Sequence, residues 1–185
     1  RSTLFPPRRS SVFDWANAAF PTVITTSVFA AYFTKAIAAD EIAGTAGWGY
    51  AISLSGLAVA VLAPFLGAVA DHGGRRKPWI AAFTLLCAVA SALLWRAEAD
   101  VSFVLLALVL MGIANFAFEM AMVFYNAMLP DLTPRDRIGR LSGWGWGLGY
   151  AGGLACLGVA LVALVETKTP IFGLDKDNAE HLRAT

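Results

Sequence analysis

The sequence predicts an all-α membrane protein whose five transmembrane helices form one bundle. Three observations carry the prediction. Of the 185 residues, 58% are hydrophobic and only 15% are charged, where an average soluble domain has roughly 25% charged residues. The charge is also confined: residues 46 to 70 and 79 to 95 carry none, and each stretch approaches or exceeds the ~17 apolar residues of the shortest membrane-spanning helix. Finally, Lys and Arg alternate between the two sets of connections. The leader and the two loops at 71–78 and 129–140 hold nine, whereas the two short loops between them hold one each when Lys35 at the membrane edge is counted, and residues 166–185 hold three beside four acids. Cations collect on the cytoplasmic side, so the N-terminus is expected inside.

Residues 1–11 form a polar leader in which Pro6 and Pro7 discourage helix. The first span is expected from Val12 to Ile37, with Asp14, Asn17, Pro21, Thr25 and Tyr32 at helical steps on one face. An acidic outer loop at 38–45 leads to the second span, 46–70. There Ser53, Gly56, Ala60, Pro64, Gly67 and Asp71 make a small-residue face suited to close helix packing. The third span, 79–95, is short and nearly featureless, and Arg96, Glu98 and Asp100 make the next outer turn. The fourth, 102–128, carries a second polar stripe of Asn115, Glu119 and Asn126, with Tyr125 beside it.

Pro130 to Asp136 reads as a turn and a short helix, with Thr133 as N-cap and Pro134 in the first turn. The fifth span, 141–165, contains the overlapping pairs Gly143/Gly147, Gly145/Gly149 and Gly149/Gly153, and is expected to press on a neighbour. Residues 166–185 read as a polar outer loop and the start of a sixth helix, with Glu180 three residues after Asp177. The chain starts at Arg1 and stops as that helix begins, so it is expected to be a fragment. Five of the six tryptophans lie near span ends, where an amphipathic ring is favoured.

The loop between the second and third spans reads G-x-x-x-D-x-x-G-R-R-K, with Gly67, Asp71, Gly74, Arg75, Arg76 and Lys77 in the defining positions. Gly67 permits a close helix approach, and Gly74 tolerates positive φ. Asp71 ends its helix, where it can accept from a neighbouring helix N-terminus or pair with a cation. Pro78 suits the first turn of the next helix. This pattern resembles the loop signature of the major facilitator superfamily. The resemblance implies twelve helices in the full protein, six of them in this half, and a loop that latches one conformation of a rocking transporter. The plainer alternative is a topology anchor.

A closer resemblance rests on three further stretches: residues 13–20 (FDWANAAF), 124–131 (FYNAMLPD) and 139–153 (GRLSGWGWGLGYAGG). Together with the loop they resemble the vacuole-effluxer-like branch of the superfamily, and in this second resemblance Asp131 and Arg140 mark the second cytoplasmic loop. Fungal members of that branch are implicated in amino-acid export from the vacuole. The antiporter signature of the fifth helix, G-x-x-x-G-P-x-x-G-G, is not met, because Tyr150 stands where proline would.

Asp14, Asn17, Asn115, Glu119, Tyr125 and Asn126 are the candidates for solute contact or proton coupling. Glu119 leads them, since no Lys or Arg lies near its depth in any span. An acid at mid-bilayer costs about 2.5–3.5 kcal/mol on insertion scales unless water or a partner reaches it. It therefore faces a cavity, stays protonated or makes an interhelical hydrogen bond. Asp14 either caps its helix or faces the same cavity, and the facilitator resemblance implies that the first and fourth helices line one chamber.

The readings exclude several classes. There is no G-x-x-x-x-G-K-[ST], no H-E-x-x-H and no G-x-S-x-G, so neither a nucleotide motor nor an enzyme is expected. His72 and His181 lack partners at metal-ligand spacing, Cys87 and Cys156 sit in apolar runs, and a net charge of +1 gives no field for nucleic acid. No cofactor is expected. The expected partners are the bilayer, a small solute, a proton and the missing C-terminal half. The favoured function is gradient-driven secondary transport by alternating access at the cell membrane, with amino acids as one solute class. The alternative is a non-transporting assembly or receptor module of the same fold.

Overall fold

A computed structural model of the chain describes residues 15, 17–72, 76–128, 138–165 and 179–183. Among these the regular structure is entirely helical. Four helices are long and apolar enough to cross a membrane: Glu41–His72, Lys77–Arg96, Val101–Ala127 and Ile138–Val165. The chain divides into two compact units, one made of residues 1–31 with 129–185 and the other of residues 32–128.

The first expected span is not one regular helix. Its described part is a π-helix at Phe20–Thr25, a short helix α1 at Val28–Tyr32, and a second π-helix at Phe33–Ile37. Pro21 has no N–H to give to the preceding turn. Beyond it, the Thr26 amide donates five residues back to the Pro21 carbonyl at 3.1 Å. The Thr26 hydroxyl reaches the Pro21 carbonyl at 2.9 Å and the Thr22 carbonyl at 3.2 Å. A side chain competing for i−4 carbonyls in this way opens the helix. The border between the two units falls inside α1, after Ala31.

In the second unit, α2 spans Glu41–His72, α3 spans Lys77–Leu93 and α4 spans Val104–Ala127. The expected acidic loop at 38–45 shrinks to three residues. Asp40 caps α2 by accepting the Ala43 amide at 2.9 Å, and an acid suits the first turn. At 1.5 Å per residue, α2 is about 48 Å long, well beyond a hydrocarbon core of about 30 Å. Pro78 lies in the first turn of α3, as expected. Asp100 caps a 3₁₀ turn, Val101–Phe103, that leads into α4. Hydrogen bonds from the Ser102 hydroxyl and amide hold the Asp100 carboxyl below the usual range.

Helix α4 is the common neighbour of α2 and α3. Its buried positions Ala107, Leu110, Met111, Ala114, Ala117, Met120, Ala121 and Phe124 recur at three and four residues, so one face carries the core. Alanine dominates that face and lets α3 approach through Cys87 and Ala90. Helix α2 buries Gly44, Trp48, Ser55 and Ala70, and adds Val59, Ala63 and Leu66 to the core. This is not the small-residue face expected from the sequence. Ser53, Gly56, Ala60, Pro64 and Asp71 are exposed, and a Cβ at Gly56 or Gly67 would meet nothing within 4 Å.

Two aromatic groups close the ends of this unit. At one end Phe33 packs on Trp48 with centroids 5.1 Å apart, and the buried Tyr32 hydroxyl donates to the Ala97 carbonyl at 3.0 Å. At the other, beneath the 71–78 loop, Trp79 and Phe83 both stack on Phe124, at 5.7 and 5.9 Å. Phe116 meets Phe83 edge-on at 6.0 Å.

In the first unit, α5 spans Ile138–Ala160, continues as a π-helix at Leu161–Val165, and is followed by a short α6 at Glu180–Arg183. Residues 180–183 are helical, while Asp177, the other residue of the expected sixth start, and the Pro130–Asp136 turn lie outside the described residues. α5 packs on the Phe20–Thr25 segment. The packing glycines are only part of the expected set: Gly149 and Gly153 are buried, as is Gly152 outside that set, whereas Gly143 and Gly147 face open space. Val23, Val28 and Ala160 form the core there, with Leu157, Leu161, Val165 and Leu182 against it.

Candidate functional site

Two groups of polar residues are brought together in the second unit, one at the helix ends around the loop and one within the helices. At the loop, Arg76 immediately precedes α3, and its guanidinium reaches back to the end of α2. Its Nε donates to Asp71 Oδ1 at 2.9 Å, and an Nη of the same group lies 2.7 Å from that oxygen. Its other Nη donates to the carbonyl of Ala127, the last residue of α4. One cation therefore ties the ends of α2, α3 and α4, and it supplies α4 with a positive charge where the helix dipole is negative.

Of the two fates expected for Asp71, the structure has pairing with a cation. Sequence reasoning could not choose among Arg75, Arg76 and Lys77. Gly74 and Arg75 lie outside the described residues, and Lys77 is exposed. His72 bonds through Nδ1 to the Ala68 carbonyl at 2.8 Å, which closes the last turn of α2. Arg76→Gln is expected to cost about 1 kcal/mol, because the pair is partly exposed and exposed pairs contribute about 0.2–1 kcal/mol before the carbonyl bond is added. A denaturation series with Asp71→Asn and the double variant checks this. Equal costs for the two single variants would remove the α4 bond from the account.

Within the helices the stripe of α4 divides. Asn115 is only 7% exposed and Ser55 of α2 only 6%. Asn115 Nδ2 donates to Ser55 Oγ at 2.8 Å, and Ser55 Oγ donates to the Ile52 carbonyl at 2.7 Å. The interhelical hydrogen bond weighed above for Glu119 is thus made by Asn115. Glu119, one turn along α4, is exposed, and among the described residues it has no hydrogen-bond or ion-pair partner. Asn126 is also exposed and Tyr125 half-buried.

The remaining candidates lie elsewhere. Asn17 is half-buried and Arg140 exposed, both in the first unit; Asp14 and Asp131 lie outside the described residues. Among the described residues no three His, Cys, Asp or Glu side chains are grouped to hold a metal. Sequence reading missed Ser55, although Gly44, Trp48, Ser55, Val59, Ala63, Leu66 and Ala70 form a stripe at helical spacing. It also missed the aromatic group, whose signal was Trp79 with Phe83 at i+4 and Phe116 with Phe124 at i+8.

Compared with known proteins, residues 34–183 match the model of a family described as "Vacuole effluxer Atg22 like". The chain is also similar to the protein named "Uncharacterized MFS-type transporter YxiO" of Bacillus subtilis (strain 168), at 34% identity over 163 residues. That alignment covers 85% of this chain and 38% of the relative, so the chain spans well under half the length of the curated relative it matches. No solved structure matches it. The matched family region includes Asn115, Glu119 and the loop, and it begins after Asp14 and Asn17.

Proposed function

This chain belongs to the vacuole effluxer Atg22-like family of major facilitator type, and from that premise we propose that the complete protein is a secondary transporter of a small solute. One observation carries the reading. Glu119 is a carboxylate in the middle of an otherwise uncharged membrane helix, and it is exposed and without a protein partner among the described residues. Such a group is too costly to keep against lipid, which supports its facing a water-filled chamber.

There it binds solute or carries a proton, so that gradient energy is coupled to alternating access. Asn126 and Tyr125 extend the polar surface along α4, and Asp14 and Asn17 are the candidates from the first span. The Arg76 tie holds α2, α3 and α4 as one body while the transporter rocks, with Gly67 and Asp71 on the open side of α2 for the missing half. The excess of Lys and Arg on the leader and the 71–78 and 129–140 loops supports a cytoplasmic N-terminus in the cell membrane. Amino acids are the solute class to test first.

Reconstituting the complete protein in vesicles and following labelled amino acids across an imposed pH gradient tests the proposal. Glu119→Gln is expected to slow flux by about tenfold or more, the equivalent of ~1.4 kcal/mol, and to flatten its pH dependence. A variant with unchanged rate and pH profile would remove Glu119 from the mechanism. A wild-type protein no faster than empty vesicles across the panel would leave a non-transporting module.

A further inference from the structure

The hydrogen bonds one turn from Glu119 fix which groups Asn115 has left to offer. Ser55 has one hydroxyl proton, and it goes to the Ile52 carbonyl at 2.7 Å. Its oxygen can then only accept, so Asn115 must turn its NH2 toward it, as the 2.8 Å contact from Nδ2 has it. That leaves Asn115 Oδ1 as an acceptor with no hydrogen-bond partner among the described residues. The next polar group on this face of α4 is Glu119, one turn away, and it too is acceptor-only when ionised. Two acceptors thus sit at adjacent turns of α4, Asn115 buried against α2 and Glu119 exposed. No Lys, Arg or His occupies the interior of α2, α3 or α4 to neutralise them: Asp71, His72 and Lys77 all lie at helix ends, and Glu119 is the one charge between those ends. Among the described residues the charge between the ends of these three helices is negative, and neither acceptor has a donor.

We propose that this half of the chamber recognises the protonated amine of its solute, with the ammonium N–H groups shared between the Glu119 carboxylate and Asn115 Oδ1. The inference deepens the transport reading and rests on Glu119 facing the chamber. An ammonium has three donors and no acceptor, and it brings the charge that an isolated carboxylate at this depth lacks. Two acceptors one helical turn apart can share one such head group. A carboxylate or phosphate group would instead meet like charge here, so any anionic part of the solute must be held by another part of the protein.

The test uses the complete protein in lipid nanodiscs and four probes: leucinamide, N-acetylleucinamide, N-acetylleucine and tetramethylammonium. The first three share one aliphatic body and are cationic, neutral and anionic; the fourth is a cation without N–H donors. Calorimetric titration is expected to give leucinamide an affinity at least about tenfold above each of the others, the range of a charge-assisted hydrogen bond. Glu119→Gln, an exposed isosteric change, is expected to erase that preference, and Asn115→Ala to weaken leucinamide while keeping the order.

The proposal fails if N-acetylleucine binds as well as leucinamide, if the preference survives Glu119→Gln, or if none of the probes binds, in which case the two acceptors serve an element outside this chain. Flux of labelled leucinamide in vesicles separates this from the transport reading. Binding that depends on Glu119 without flux supports the recognition and removes the transporter; flux of the neutral or anionic probe that ignores Glu119 keeps the transporter and removes the recognition.

Discussion

Phe124→Ala is expected to destabilise the second unit by about 3 kcal/mol, the lower end of the range for deleting a buried phenylalanine. Phe124 is 2% exposed, and both the Trp79 and Phe83 rings of α3 stack on it. Met120 and Ala70 complete its surroundings. In a bilayer, separated helices already lie in apolar solvent, so no transfer from water is lost and the cost is that of the cavity and the stacking. The value therefore lies low in the range. Because Trp79 and Ala70 flank the loop, the same variant should also loosen the Arg76 contact with Ala127. Unfolding in mixed micelles, with Phe124→Leu as an intermediate case, measures the effect. A loss under about 1 kcal/mol would mean that the rings touch without forming a packed core.

The second large effect concerns α5. A Cβ at Gly153 would clash with the Thr22 hydroxyl oxygen and lie 3.1 Å from the Ala18 carbonyl oxygen. The hydroxyl can rotate away, but the carbonyl belongs to the backbone. Gly153→Val therefore forces α5 away from the Phe20–Thr25 segment, at about 1–3 kcal/mol for overpacking. It also loosens the nearby core of Val23, Val28 and Ala160. Gly147→Ala is the matched control, since nothing lies within 4 Å of the added atom, and a gain of up to ~1 kcal/mol in helix propensity is expected there. Thermal melts of the two variants in detergent decide the point. Equal losses would mean that the Gly147 side is also covered.

The glycines show where sequence reading lost its grip. Small residues at steps of four mark a surface that admits a close neighbour, and α5 has several such surfaces because it has so many glycines. Which one is used depends on where the neighbouring backbone runs, and periodicity carries no such information. The same holds for α2, where two stripes compete. The sequence reading chose Ser53, Gly56, Ala60, Pro64 and Gly67, while the folded unit buries the stripe through Trp48, Ser55 and Ala70. Both are legible as faces, but only the shape of α4 decides between them. The irregularity of the first span has a different cause: Thr26, which is not part of the polar stripe expected there, captures two carbonyls.

The sequence by itself determined the helical class, the four long apolar helices and the placement of charge, because long uncharged apolar runs have one way to satisfy their backbone in lipid. It also singled out Glu119 and the 71–78 loop, since an ionised group inside an apolar run or a charged turn between two of them stands out without any knowledge of neighbours. Only the tertiary structure decided that Arg76, out of three adjacent cations, ties Asp71 to α4. Only the tertiary structure, too, gave Asn115 to Ser55 and left Glu119 open. Hydrogen bonds between helices depend on the relative rotation of two rods, and that rotation is set by the small and aromatic side chains packed between them.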